Sequence, residues 1–555
     1  MDPKIIITNL LKKHTKLKNI QLEIPPNPNL GDYAFPCFKI SKDPNKSAIE
    51  LKNKIKIPKA ISKIQPTGPY LNFFINKTQF IKQTIKNIQK QKDKYGSSNL
   101  GKKQRIMVEY SSPNTNKPLT LGHLRNDSIG MSISNILEFT NHKIIKTILL
   151  SNRGAHICKS MLMYQRYGNN SMPNIKPDHF VGKFYVMYQQ KAAKNPNLED
   201  EILTMLQKWE DKDKDIRRLW KKLDTWTTKG FKQTYKTFGS KFDITFKESD
   251  FYNKAQPIIK QAIKKNIFKK DKDNSIYIDL EKYNLSKKTI QRADSTSIYI
   301  TNDLALTKYK FEHFKIKKSI WVVGSEQDLY FQQLFKILEL LKFKWAKDCK
   351  HLSYNLVYLP EGKMKSREGN VVDADNIIEQ MKDLAKQEII RRHKLSKKEL
   401  DKRSQMVGLA ALKFYLLKYD LTRNIHFNPQ ESISFEGDTG PYIQYTYARI
   451  CSILKKTKFK ISNLENLDTQ EEYNLINKLS NFPLIIEKSA KEYKPSLIAN
   501  YLLELAHSTN EYYHKYPVLK SSPSTKQSRL QLIDAIKIVL QNGLSLLGID
   551  SPKIM

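Results

Sequence analysis

The chain has 555 residues, 39% hydrophobic and 27% charged, which is apolar material and length for about three or four domains and excludes disordered, collagen-like and single-domain readings. Cys37, Cys158, Cys349 and Cys451 are too few and too scattered for a disulfide scaffold or a zinc-ligand spacing, no apolar run would span a bilayer, and the start, Met-Asp-Pro-Lys-Ile-Ile-Ile, has no signal-peptide pattern, so a cytoplasmic protein with no membrane partner is expected. The formal charge of +41 points to an anionic partner, nucleic acid above all, although 82 of the 96 basic residues are Lys and only 14 Arg, a bias that A/T-rich codons also produce.

Residues 1–100 read as a small α+β unit. Ile5, Leu10 and Leu11 carry helical periodicity, a Pro/Asn loop follows, and Tyr70 to Ile75 reads as a strand. The polar run Lys90 to Lys103, with Gly96-Ser97-Ser98, marks a boundary. From there the texture is α/β. Ile106 to Tyr110 is a strand, Ile129, Ile133, Ile136 and Leu137 share one helical face, and Lys143 to Leu150 is the next strand. Strand, helix, strand in this order predicts a Rossmann-type parallel sheet. Residues from about 168 to 275 are helical and charged and read as an insertion. Strand character returns at Ser275 to Ile278, Ile298 to Ile300 and Ile320 to Val323, and Phe331, Leu334, Phe335, Leu338 and Leu341 line a helix. From about 380 the chain reads as helical, with Ile533, Ile536, Leu540, Leu544 and Leu547 as a core stripe. The expected division is 1–100, 101–380 and 381–555, with no internal repeats.

Two segments carry chemistry. Asn114 to Arg125 (Asn-Thr-Asn-Lys-Pro-Leu-Thr-Leu-Gly-His-Leu-Arg) joins a strand to a helix. The N-terminus of such a helix offers free N–H groups to phosphate; Gly122 lets a flat base approach, and His123 can donate as charge develops. Glu361 to Asn370 gathers Lys363, Lys365 and Arg367 between glycines after a strand-like run, and such cations can neutralise a leaving pyrophosphate. Read singly, the first is also an ordinary helix cap and the second an ordinary solvated basic turn.

Together they resemble the signatures of class I aminoacyl-tRNA synthetases, Gly122-His123 the end of the HIGH motif and Lys363-Met364-Lys365-Ser366-Arg367 the KMSKS loop. The surroundings are similar to the arginyl family: Val108 to Asn114 with Lys117-Pro118, Tyr299 to Leu304, Gly324 to Leu329, and Glu436 to Tyr445 with Ala448-Arg449. The resemblance runs nearly end to end. It implies an α/β fold: a Rossmann-type parallel-sheet catalytic domain, an N-terminal α+β domain that meets the tRNA D-loop, and a C-terminal all-helical anticodon-binding domain. It implies an arginine–tRNA ligase, active on arginine, ATP with Mg2+ and tRNA(Arg), with no metal bound by the protein itself, and a monomer.

Residue by residue, the resemblance carries Glu109, Ser112, Asn114, Tyr299, Asp303 and Gln327 over to arginine. It carries Thr120, Gly122, His123 and Lys363 to Arg367 to ATP, with Lys117, His123, Lys363 and Lys365 as the catalytic set. It carries Tyr70, Asn72, Tyr442, Tyr445, Arg449 and Met555 to tRNA. A carboxylate pair, Glu109 and Asp303, suits a guanidinium by charge-assisted bonds. Three positions depart from the pattern. Thr120 replaces the first HIGH histidine, Ser366 stands at the second KMSKS lysine, and Asp294-Ser295-Thr296 stands where Asp-Gly-Thr is usual. A tRNA-binding paralogue with decayed catalysis and a class I synthetase for another amino acid are the alternatives.

Overall fold

The computed structural model describes residues 3–293, 298–359, 372–392, 394–457 and 464–555. The N-terminal unit packs α1 (Pro3–His14) and α2 (Pro44–Lys54) on one antiparallel sheet of β1 (Tyr33–Pro36), β2 (Ile61–Thr67) and β3 (Tyr70–Ile75), in the order β1-β3-β2. Ile7 and Leu11, four apart on α1, meet Phe35, Leu71 and Phe73 in a core of their own. The Asp43 side chain caps α2 with Pro44 just inside it, a sharp start for a helix. Gly31, at φ +120°, leaves only 3.0 Å between its absent Cβ and the Phe73 carbonyl, so a side chain there would push the turn off β3. Then α3 (Lys77–Gln91), capped by Asn76, leads out of the unit.

The second region is built on β4 (Arg105–Glu109), α4 (Leu121–Phe139), β5 (Lys143–Leu150), α5 (Ala155–Tyr167), α6 (Pro177–Ala192), α7 (Leu198–Glu210), α8 (Lys214–Phe238), β6 (Ile244–Lys247), α9 (Gln256–Lys264), β7 (Lys269–Lys270), β8 (Ile276–Ile278), β9 (Lys288–Gln291), α10 (Tyr299–Phe314), β10 (Lys318–Gly324), α11 (Asp328–Leu340) and β11 (Cys349–Tyr354). Five strands form one parallel sheet in the order β11-β10-β4-β5-β6. The chain winds one way from β4 through β5 to β6 and the other way from β10 to β11. The strand order therefore reverses between β4 and β10, and ligands bind at the carboxyl ends beside such a reversal. Helices α5 to α8 build a layer with its own core of Met161, Tyr164, Phe180, Ile202 and Trp209.

Local readings differ from this at three places. β6 joins the parallel sheet although it lies inside the 168–275 stretch read as helical. Ile276–Ile278 is a strand, but in a separate antiparallel sheet with β7 and β9. Ile298 to Ile300 is no strand: it opens α10, where the Ile298 N–H donates to Thr301 Oγ1 at 3.2 Å. That cap outweighs the strand propensity of two isoleucines and a tyrosine.

The last region starts with β12 (Val357–Tyr358), α12 (Ala374–Ile390), α13 (Lys397–Leu417) and β13 (Ile425–His426), which pairs with β12, and continues through α14 (Pro429–Ser432), α15 (Gly440–Lys455), α16 (Gln470–Glu492), α17 (Ser496–Lys515) and α18 (Pro523–Leu546). Its core is continuous with that of the sheet: Val108, Leu124 and Ile320 belong to the same cluster as Phe414, Ile443, Leu505 and Ile536.

Candidate active site

β4 delivers Glu109 and Tyr110 to the carboxyl edge of the sheet, both buried. The chain then turns through Ser111 and Ser112, both left-handed at φ +70° and +47°, a costly conformation outside glycine. Bonds hold it there. The Ser111 N–H donates to Asn126 Oδ1 at 2.7 Å, and Ser111 Oγ lies 2.8 Å from Tyr235 Oη. The loop crosses to β5, where Thr115 N–H donates to the Ser151 carbonyl and Ser151 N–H to that of Pro113, so Asn114 lies beside Ser151.

The phosphate-facing part follows at once. Thr120 caps α4, and its N–H donates to His123 Nδ1 at 3.1 Å. A ring nitrogen that accepts carries no proton in the neutral imidazole, so the proton resides on Nε2. Burial, with the nearby charge of Lys117, lowers His123 to about 4. At neutral pH it is therefore an uncharged N–H donor. Burial also lowers Lys117, whose ammonium lies 5.8 Å above the Tyr185 ring. Gly122 has room: an added Cβ would meet only Thr120 Oγ1, at 3.5 Å. Lys117 and Thr120 line a cavity of about 460 Å³ with His179, Tyr185 and Asp373. The residues Lys363, Met364, Lys365, Ser366 and Arg367 fall outside the described residues, as does Asp294-Ser295-Thr296.

Farther along the same carboxyl edge the carboxylates gather. Glu109 Oε2 lies 2.7 Å from Lys310 Nζ in a fully buried pair. Asp303, half-buried on α10, accepts the Tyr330 hydroxyl. Burial raises Asp303 to about 6, with the Glu109 charge adding and Lys310 opposing. Glu248, just after β6, accepts Ser151 Oγ at 2.8 Å. Burial and the Asp303 charge raise it to about 8. Tyr299 closes this side, its hydroxyl 3.2 Å from His156 Nδ1. A cavity of about 310 Å³ lies among Arg153, His156, Glu248, Arg292, Tyr299 and Asn302. Gln327 stands exposed at the end of β10. The three carboxyl groups thus gather around the buried Lys310 ammonium, with Arg153 and Arg292 lining the adjoining cavity.

The structure thus brings Glu109, Ser112, Asn114, Tyr299 and Asp303 to one edge of the sheet, with Thr120, Gly122 and His123 at the start of the helix that the β4 loop leads into. The sequence reading missed Lys310, Tyr330 and Glu248. Lys310 lies seven residues after Asp303, two turns along the same face of α10, a spacing that could have flagged it. Glu248 was hidden because β6 itself was not seen.

The remaining candidates lie elsewhere. Tyr70 is half-exposed, its ring 5.8 Å from exposed Phe38, while Asn72 is buried at 4% exposure. Tyr442, Tyr445 and Arg449 form a half-buried face of α15 rather than core. Tyr442 Oη is 3.1 Å from His507 Nδ1, and Arg449 bonds Asn510 Oδ1 at 2.9 Å and Tyr445 Oη at 3.1 Å. Met555 is half-buried against the shared core. Among the described residues, one group, Asp178, His179 and Asp375, brings three metal-ligating atoms within 4.8 Å. Lys176 already puts its ammonium there, 2.9 Å from Asp178 and 2.7 Å from Asp375.

Comparison with known proteins agrees region by region. The family model "tRNA synthetases class I (R), catalytic domain" matches residues 84–428. "Arginyl tRNA synthetase N terminal domain" matches 4–75 and "DALR anticodon binding domain" matches 443–555. The arginine–tRNA ligase of Treponema denticola is 40% identical over 569 residues, 97% of this chain and 95% of its own. That of Borrelia hermsii is 40% identical over 583 residues, 100% of this chain and 99% of its own. The arginyl-tRNA synthetase of Thermus thermophilus shares the fold at a TM-score of 0.84 with 24% identity, each chain covered in full.

Proposed function

The chain belongs to the class I arginyl-tRNA synthetases, and from that premise we propose how its residues divide the work. It is an arginine–tRNA ligase: ATP activates arginine, and the arginyl group passes to tRNA. In the first step an arginine carboxylate oxygen attacks the α-phosphorus, and the bond to pyrophosphate breaks. In the second a terminal ribose hydroxyl of tRNA(Arg), the 2′-hydroxyl in this class, attacks the adenylate carbonyl and AMP leaves. Neither step needs a covalent enzyme intermediate, so the residues act by positioning and charge.

In our assignment Asp303 and Tyr299 take the guanidinium, with Glu109, already paired to Lys310, fixing the charge at the pocket floor. Ser112, Asn114 and Gln327 serve the α-amino and carboxylate end. Gly122 admits the adenine and ribose. The His123 Nε2–H and Lys117 face the phosphates, Thr120 orients His123, and Lys363 to Arg367 contribute cations. A Mg2+ ion, which supplies charge to the triphosphate when bound, would be held by phosphate oxygens. Lys117, Thr120 and His123 offer donors and cations, which suit phosphate, and the nearby carboxylates Asp178, Asp373 and Asp375 already face Lys176 and His179. Tyr70 and Asn72 would serve the tRNA corner; Tyr442, Tyr445, Arg449 and Met555 would serve the anticodon loop. We divide the chain at 100 and 380 and take it to act as a monomer in the cytoplasm; among the described residues no helix is long and apolar enough to cross a membrane.

The observation that supports the residue assignment is the gathering of Asp303, Glu109 and Glu248 around the buried Lys310 ammonium, at the same carboxyl edge of the sheet whose β4 loop leads to His123. ATP–pyrophosphate exchange with each amino acid, with and without tRNA, tests it. Exchange with arginine and tRNA, and its collapse in Asp303→Ala at unchanged tRNA affinity, is expected. An arginine KM that barely moved in that variant would overturn the pocket. The alternative of a decayed paralogue predicts tight tRNA binding with no exchange, and nothing in the site favours it.

A further inference from the structure

Six side chains from three segments meet beside the phosphate side of the cleft. Asp375, in the first turn of α12, accepts three bonds: from Lys176 Nζ at 2.7 Å, His179 Nε2 at 2.9 Å and Thr234 Oγ1 at 2.9 Å. Lys176 also bonds Asp178 and Thr234, at 2.9 and 2.6 Å. His179 Nε2 is 3.4 Å from Asp373 Oδ2, while Asp373 caps α12 through the N–H groups of Asp375 and Asn376. Asp178 is wholly buried, and Gly230 allows α8 to lie against it, since any Cβ there would fall 2.2 Å from Asp178 Oδ1. The knot is mixed in charge, so it needs no added ion; its output is mechanical.

What it holds is the signature segment. Residues 372–374 pair antiparallel with 119–121: Leu121 N–H donates to the Val372 carbonyl at 3.1 Å, Ala374 N–H to that of Leu119 at 3.0 Å, and Thr120 bridges Asp373. Thr120 in turn donates to His123 Nδ1. A continuous run of bonds therefore leads from Lys176 and His179, through Asp375 and Asp373, to the imidazole facing the phosphates.

We propose that Asp375, gripped by Lys176 and His179, is a positioning residue for arginine activation: it fixes the 372–374 backbone against Leu119–Leu121 and thereby sets Thr120 and the Nε2–H of His123. The inference rests on the reading of His123 as a phosphate donor. The bonds to Asp375 hold His179 above its ordinary 6.5, against a smaller effect of burial. The groups facing His179 are Asp373 and Asp375 from the start of α12, Asp178 and Lys176 beside it, and Lys117, Lys183 and Tyr185 around the shared cavity, with Thr234 of α8 completing the knot. Loss of its proton removes a charge from the grip but leaves one N–H for Asp375, so activity should fall only a few-fold above neutral pH.

The test is a double-mutant cycle in ATP–pyrophosphate exchange with arginine and tRNA, on the full chain. Asp375→Asn should lower kcat roughly 10- to 100-fold, with arginine KM and tRNA Kd within about twofold. His179→Gln should lower kcat a few-fold and flatten the alkaline limb. In the His123→Ala background, Asp375→Asn should cost less than about twofold more, because both act through one ring. Active-site titration corrects for misfolded enzyme, and the milder His179→Gln keeps the cycle readable if Asp375→Asn folds poorly. Additive losses, or losses explained by a smaller active fraction, would overturn the proposal. If His123→Ala collapses exchange and the knot variants do not, the proposal alone falls. If His123→Ala leaves exchange unchanged, the reading of His123 falls and the proposal with it.

Discussion

Asp303 and Glu109 sit in one pocket yet differ in readiness for a ligand. Glu109 already has Lys310 at 2.7 Å, so a guanidinium there joins an existing pair. Asp303 has only the Tyr330 hydroxyl, and burial keeps it near 6. Above that pH it is a carboxylate lacking a cation; below it, arginine must displace a proton. Arginine KM should therefore rise about tenfold per unit below about pH 6, measured by exchange from pH 5 to 7, where Glu248, raised to about 8, stays protonated. In Asp303→Asn the rise should vanish while KM is high throughout. Because His123 titrates near 4, it should add no limb in this range. The sequence made Asp303 legible through a motif, but Glu248 and Tyr330 are drawn into the pocket by packing that no local spacing records. Arginine, scarce in this chain, tells a similar story. Arg125 is buried, its fork bonding the carbonyls of Asn355, Leu356 and Arg423 and its plane 5.6 Å from the Tyr354 ring. Lysine cannot reach three carbonyls in this fixed geometry. Arg125→Lys should cost about 2–3 kcal/mol, an orphaned buried acceptor being worth about 1–3, read as a lower midpoint in urea unfolding.

At the scale of elements, helices with a clear stripe and strands that open a βαβ unit were legible, because burial on one face imposes the period. β6 was not, since four residues, Ile244-Thr245-Phe246-Lys247, are too short to show alternation and gain strand form only by pairing with β5. Ile298 to Ile300 misled for the opposite reason: local propensity favoured a strand, and the Thr301 cap with core packing of Ile300 and Leu304 made a helix. α8 shows what sequence periodicity leaves out. Gly230, in its interior, lowers helix propensity by about 1 kcal/mol against Ala, yet it lets α8 and α6 touch. Gly230→Ala should destabilise by about 1–3 kcal/mol despite better propensity, because the new Cβ overlaps Asp178 Oδ1. Thermal unfolding measures the sign; a more stable variant would mean that the two helices part without cost.

At the scale of the whole molecule, the +41 charge is a weak guide and the core a strong one. The three sequence regions were legible, but not that two of them share one interior. Side chains of the sheet region and the helical region belong to a single cluster, and polar bonds cross the seam: Ser132 Oγ to the Leu546 carbonyl at 3.0 Å, Asn135 Nδ2 to that of Ser545 at 3.3 Å, and Lys318 Nζ to Tyr493 Oη at 3.2 Å. Burial on this pattern makes the two regions one cooperative unit. Helices α5 to α7 instead pack around a separate core, tied to the rest through α8, whose Leu223 lies in that core and whose Phe231 and Phe238 lie in the shared one. Three of the five tryptophans, Trp209, Trp220 and Trp226, report on this smaller core. Tryptophan emission in a Trp321→Phe, Trp345→Phe variant should thus change at lower urea than the helical ellipticity lost on global unfolding, and activity should fall with the emission because α6 carries His179. Coincidence of emission and ellipticity would show that α8 transmits stability along its length and that the chain unfolds as one body.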